Sequence, residues 1–196
     1  MTGKFIVVEG PDGVGKTSLC KAIVEALGDN AVYTREPGGT PMAEEIRQLF
    51  KSDGAHEEEC PLGELYLVMA ARAYHCRLIE GYLARGMTVI CDRWMASTYI
   101  YQCQLGGVSL ETLNAVEAVN GFPVPDIQFI TSLEDGALAS VKNREGEPVD
   151  YLDERSLYNK PNWEDNKLSD YAHTTVYTRR HPTPAIWAQH LIDTYL

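Results

Sequence analysis

Eight consecutive residues near the start of the chain, Gly10-Pro11-Asp12-Gly13-Val14-Gly15-Lys16-Thr17, have the types and spacing of a polyphosphate cradle. A glycine, four residues and then Gly-Lys-Thr let the backbone turn tightly and aim its N–H groups at one anion. Lys16 brings a positive charge for the outer phosphates, and the Thr17 hydroxyl is a ligand for magnesium. The context fits. The apolar, β-branched run Phe5–Glu9 precedes the loop, and Leu19, Ile23, Val24 and Leu27 follow at the spacing of one helix face. A helix beginning near Lys16 adds the positive end of its dipole.

A second group of charges points to a second anion. Arg35 follows one strand candidate, and Asp92-Arg93 follows another, Thr88–Cys91. Both arginines then stand at the carboxyl edge of a sheet, where forked guanidinium hydrogen bonds suit a phosphate. Asp92, at the end of an apolar run, is placed to position magnesium or its waters. Arg72 sits among Leu65, Val68, Met69 and Cys76, and a charge on that face needs either an acidic partner or a ligand. A helix over Ser97–Leu105 would put Ser97 and Tyr101 one turn apart on the same side.

The elements that must hold these residues alternate. Strands are predicted at Phe5–Glu9, Ala31–Thr34, Thr88–Cys91, Ile127–Ile130 and Thr174–Tyr177. Helices are predicted at Lys16–Leu27, Met42–Lys51, Gly63–Arg85, Ser97–Leu105, Leu110–Val119, Leu133–Val141 and Pro184–Tyr195. This order predicts an α/β fold, a doubly wound, five-stranded parallel sheet with flanking helices, and a ligand beyond the carboxyl ends of its strands. The 196 residues suit a single domain. Two stretches interrupt the alternation: the acidic Lys51–Pro61, and Asn143–Ser169, rich in charge and stopped by Gly146, Pro148 and Pro161. A loop as long as the second is usually functional, and the part near Arg144 is expected to be a mobile lid.

Composition narrows the partners. A net charge of −11 and a pI of about 4.9 argue against long-range attraction to nucleic acid polymers. The five cysteines form no CxxC pair and are expected to be reduced, cytoplasmic thiols. No apolar run approaches a membrane span, and the five histidines lack zinc-site spacing.

Together, Glu9–Thr17, Arg35-Glu36-Pro37-Gly38-Gly39-Thr40, Ala70-Ala71-Arg72-Ala73-Tyr74-His75, and Asp92-Arg93-Trp94 with Ser97 and Tyr101-Gln102 resemble the thymidylate kinase family, in order and at its spacing, from about Phe5 to Gly107. Weaker likeness continues through Pro125-Asp126 and from Arg144 to Asp150-Tyr151-Leu152. The resemblance implies a P-loop kinase that moves the γ-phosphoryl group of ATP to dTMP, with Mg2+, as a homodimer. By matching positions, Gly10, Gly13, Gly15, Lys16, Thr17 and Ser18 would hold the ATP phosphates, and Thr17 and Asp92 the metal. Asp12 would lie near the transferred group and orient the acceptor. Arg35 and Arg93 would grip the dTMP phosphate, and Arg72 would donate to thymine O4. Ser97 and Gln102 would line the base pocket, and Tyr101 would exclude a 2′-hydroxyl. The Glu36–Pro37 bond would be cis.

Catalysis would rest on Asp12, Lys16, Arg93 and a closing arginine. The phosphate loop offers none, so the lid, at about residues 142–156, would supply Arg144, with Arg155 second. Two features depart from the family: Val68 stands where it stacks an aromatic ring on thymine, and the C-terminal third lacks its regular helix. A broad-specificity deoxynucleoside monophosphate kinase is therefore the nearest alternative. A GTP-dependent switch is remote, since Asn159-Lys160-Pro161-Asn162 and Asn166-Lys167-Leu168-Ser169 both lack the aspartate of a guanine-reading motif.

Overall fold

A computed structural model of the chain describes residues 3–51, 60–132, 161–179 and 182–196. Five parallel strands, β1 (Phe5–Glu9), β2 (Ala31–Arg35), β3 (Thr88–Asp92), β4 (Ile127–Ser132) and β5 (Thr174–Arg179), form one sheet in the order β2-β3-β1-β4-β5. All of β1 is buried, as a central strand covered on both faces must be. Helices α1 (Lys16–Leu27) and α6 (Pro184–Tyr195) cover one face, around Leu19, Ile23, Phe129, Trp187 and Leu191. Helices α3 (Pro61–Ala84) and α5 (Leu110–Asn120) cover the other, around Phe5, Leu65, Ile79, Trp94, Ile100 and Leu113. Helix α2 (Pro41–Lys51) packs on the outer side of α3, with Val68 near Ala43, Ile46 and Phe50.

The predicted strands are all observed, with β2 and β3 each one residue longer than expected and β4 and β5 each two residues longer. The residues added to β2 and β3 are charged: Arg35 pairs with Asp92 as the last rung between the two strands. Proline opens α2 and α3, the first helical turn being where a missing N–H costs nothing. The predicted helix Leu133–Val141 and the lid lie outside the described residues.

Two expectations are corrected. In place of a regular helix over Ser97–Leu105, a single turn, α4 (Met95–Thr98), runs into a π-turn, Tyr99–Gln104, closed by the Leu105 N–H on the Ile100 carbonyl at 3.0 Å. The wider turn buries four consecutive side chains, Tyr99 to Gln102, between the sheet side and the segment that follows Pro161. The end of the predicted loop Asn143–Ser169 also carries structure. Trp163, Leu168 and Tyr171 join the core, around a 3₁₀ turn at Asn166–Tyr171.

A buried polar chain ties α3 to the end of β2. Thr34 Oγ1 meets His75 Nε2 at 2.5 Å, and His75 Nδ1 donates to Glu36 Oε1 at 3.0 Å. Arg72 Nε donates to Glu36 Oε2 at 2.6 Å, and Arg72 Nη2 to Thr98 Oγ1 at 2.9 Å. The Glu36–Pro37 bond is cis, and Gly39 closes the turn at φ 83°. A Cβ at Gly39 would strike the His75 ring and the Thr34 hydroxyl. Gly39→Ala is therefore expected to destabilise the fold by about 2–4 kcal/mol, from left-handed strain plus overpacking. A shift of the urea midpoint measures it, and an unchanged midpoint would refute the packing described.

Candidate functional site

The phosphate loop turns on three glycines in the left-handed half of backbone space, Gly10 (φ 137°), Gly13 (77°) and Gly15 (95°). At Gly10 a side chain would collide with Thr131 of β4, so the close approach of loop and sheet fixes the residue. Gly15 leads directly into α1, so Lys16, Thr17 and Ser18 form its first turn, where free N–H groups gather. Lys16 is buried. Its ammonium donates to the Pro11 carbonyl at 2.7 Å and stands 3.7 Å from Asp12 Oδ1. Burial, then the nearby Arg93 charge, lowers its pKa below the ordinary lysine value, and an incoming phosphate would relieve both effects.

Across the loop stands Arg93, the first residue after β3 and the one non-glycine residue at positive φ (75°) among the described residues. Its guanidinium donates to Asp12 Oδ1, to the Gly10 carbonyl at 3.1 Å and to Ser97 Oγ at 3.0 Å. Tyr101 donates to the other oxygen of Asp12 at 2.8 Å. Burial raises the Asp12 pKa, but the Arg93 charge, Lys16 and these hydrogen bonds outweigh it and hold the carboxyl well below the usual range.

Glu9 fixes the unusual backbone of Arg93. It is fully buried at the end of β1, and its carboxylate accepts from the Trp94 N–H at 2.7 Å, the Ser97 N–H at 3.1 Å and the Ser97 hydroxyl at 2.5 Å. Burial raises the Glu9 pKa, while Arg93 and the three donors pull the other way. The Arg93 N–H itself binds the Val8 carbonyl at 3.0 Å. The turn is thus held on both sides of its left-handed residue, as a strained conformation requires. In the sequence Glu9 stands out only as the end of a strand. The signal was a carboxylate closing an otherwise apolar strand.

The remaining predicted residues fall around this centre. Thr17 Oγ1 donates to Asp92 Oδ2 at 2.6 Å, which brings the two candidate magnesium ligands together. A hydroxyl and a carboxylate are hard oxygen donors of the kind that ion takes. Arg35 is 44% exposed at the rim and bound to Glu44 at 3.0 Å, so it is far more open than Arg93. Arg72 is buried and held by Glu36, the acidic-partner option for it, with Trp94 4.9 Å from its Cζ. The Ser97 hydroxyl is engaged by Glu9 and Arg93, while Gln102 is buried in the π-turn. Tyr66 and Tyr74 are more than half exposed, and neither fills the place of a ring at Val68. Beyond β4 and β5 lies a cleft of about 340 Å³ lined by Ile130, Trp163, Glu164, Asn166, Tyr177, Thr178 and Arg179. Arg144 and Arg155, like Arg180, lie outside the described residues.

The family profile for thymidylate kinase matches residues 8–159. A thymidylate kinase of Pseudomonas fluorescens is 46% identical over 138 residues, covering 68% of this chain and 65% of that protein. One from Teredinibacter turnerae is 44% identical over 132 residues, covering 65% of this chain and 64% of that protein. The aligned stretch thus spans just under two thirds of each relative's length. The crystal structure of a thymidylate kinase from Ehrlichia chaffeensis superposes with a TM-score of 0.70 at 26% identity, covering 98% of this chain and 99% of that one.

The Asp12–Arg93 pair makes a pH prediction. An acid whose folded-state pKa lies below its ordinary 3.8 stabilises the fold at higher pH and loses that contribution as pH falls. The stability difference between the wild type and Asp12→Asn should hold steady from about pH 5 to 7 and narrow below about pH 4. Denaturant titrations across that range measure it, and a difference that widens on acidification would contradict the pairing.

Proposed function

The chain belongs to the thymidylate kinase family, and from that premise we propose that it transfers the γ-phosphoryl group of ATP to dTMP, giving dTDP and ADP. The observation that carries the reading is the position of Arg93. One partly buried guanidinium stands beside the phosphate loop, facing Asp12, which Lys16 also approaches, where a second phosphate would meet the first.

Phosphoryl transfer asks little covalent chemistry of a protein. It asks for in-line placement and for charge on the equatorial oxygens to be offset. The N–H groups of Gly13 to Ser18 and the Lys16 ammonium hold the donor's phosphates. Arg93 turns from Asp12 toward the acceptor phosphate, with Arg35 reaching in from the rim. Asp12, freed in part, orients the acceptor, and Tyr101 beside it guards the sugar edge. Arg72, fixed by Glu36, is set for thymine O4, with Gln102 near the base. Thr17 and Asp92 hold magnesium, which when bound neutralises charge on the donor's phosphates.

Arg144 completes the charge around the transferred group and shuts out water. Two copies pair through helices. On α3, Leu62, Tyr66, Ala70 and Tyr74 form an exposed stripe with four-residue spacing, a face suited to a second helix.

An assay of nucleoside monophosphates with ATP and magnesium tests the reading. The dTMP rate should lead the panel, although Val68 forgoes ring stacking of about 0.5–1.5 kcal/mol and leaves room for dUMP. Equal turnover of dGMP or dCMP would favour the broader kinase. Arg144→Ala should lower kcat at least ~10²-fold with little change in the KM for dTMP, since arginines in this role contribute roughly 10³–10⁵. Near-normal turnover would remove Arg144 from the mechanism.

A further inference from the structure

The kinase reading leaves one buried polar group without a role. Trp163 is 6% exposed, and its indole N–H meets no hydrogen-bond acceptor among the described residues. Native proteins seldom leave a buried donor unused. Its surroundings indicate which acceptor would fit.

The indole ring centroid lies 5.9 Å from Arg93 Cζ and 6.4 Å from the Tyr101 ring, which it meets nearly edge-on at 70°. Both of these residues donate to Asp12. Several hydrogen bonds fix the segment that carries Trp163. The Asn162 N–H donates to Gln104 Oε1 at 3.0 Å. Asp165 accepts from the Gln104 amide at 3.0 Å and from the Tyr99 hydroxyl at 2.8 Å, and it caps the following 3₁₀ turn through the Lys167 N–H. Leu168 and Tyr171 of that turn anchor it in the core. The π-turn thus faces two ways: Tyr101 reaches Asp12, while Tyr99 and Gln104 grip the segment bearing the tryptophan. Trp163 lies beyond residue 159, where the match to the family profile ends.

We propose that Trp163 is a specificity-determining residue of the acceptor site. Its indole N–H donates to an oxygen on the sugar–phosphate end of the acceptor mononucleotide, and its ring closes the site against Tyr101. The inference rests on the kinase reading above. It favours acceptor over donor because the indole packs on Arg93 and Tyr101, the acceptor-side pair, whereas the donor's phosphates fall to the loop backbone and Lys16. An oxygen above a guanidinium is also the partner that an indole N–H can share with that cation.

Indole NMR of the ¹⁵N-labelled protein tests it. The chain has three tryptophans, and the Trp163 signal is the one lost in Trp163→Phe. Saturating dTMP should move that signal downfield more than those of Trp94 and Trp187. Trp163→Phe, which keeps a ring but loses the donor, should raise the KM for dTMP about 5- to 10-fold, as for one lost hydrogen bond. The kcat and the KM for ATP should stay within about twofold, a split that a general packing defect would not produce. A still Trp163 indole while other resonances saturate with dTMP overturns the inference alone. So does a shift with ADP and magnesium but not dTMP, or an unchanged KM in Trp163→Phe. If no resonance responds to dTMP, the kinase reading falls and takes this one with it.

Discussion

The site depends on the ion pair between Asp12 and Arg93. A carboxylate, a guanidinium and the Lys16 ammonium share a small, largely buried volume at the carboxyl edge of the sheet. In such surroundings charge must be compensated locally, and removing one partner of a buried pair costs about 3–5 kcal/mol. The protein supplies that compensation itself, with Asp12 beside both cations. In the proposed reaction a phosphate on Arg93 would replace Asp12, one anion for another around the same cation. A site organised in this way needs little rearrangement when substrate arrives, which is the condition for electrostatic catalysis.

The fold delivers that pair through backbone geometry. Strands β1 and β3 are neighbours, so the loop after one and the residue after the other emerge side by side. Glu9 then binds the chain after β3 from within β1, holding Arg93 at a φ that only glycine adopts freely. The carboxyl edge of the sheet thus supplies both the cradle and its clamp. The chain from Thr34 through His75 and Glu36 to Arg72 does the same one strand over. Its hydrogen bonds hold Arg72 in place, so Arg72 and the backbone that carries Arg93 are each fixed by a buried glutamate.

Much of this was legible in the sequence, for local reasons. Phe5–Glu9, Lys16–Leu27 and Pro184–Tyr195 form elements with the predicted bounds, because apolar spacing, glycine turns and an opening proline all agree there. The phosphate loop and the Thr17–Asp92 meeting follow from motif spacing and sheet order. What escaped depended on pairing distant in sequence. Glu9 serves residues 85 and 88 positions away, and nothing in its neighbourhood marks it as an acceptor rather than a strand end. The π-turn is invisible to a reading based on 3.6-residue periodicity. Trp163 sat in a stretch whose proline and asparagines read as loop, although the partners that bury it lie some sixty residues earlier.

The proposed mechanism requires one cleft that holds two anions end to end. The most direct test is the calorimetric affinity of a pentaphosphate joining adenosine to thymidine, a single molecule that spans both pockets. It should bind at least ~10²-fold more tightly than ADP or dTMP alone, because the second pocket is reached without a second loss of translational freedom. An affinity no greater than that of ADP would mean that the pockets around Lys16 and Arg93 do not face each other, and the account would fail.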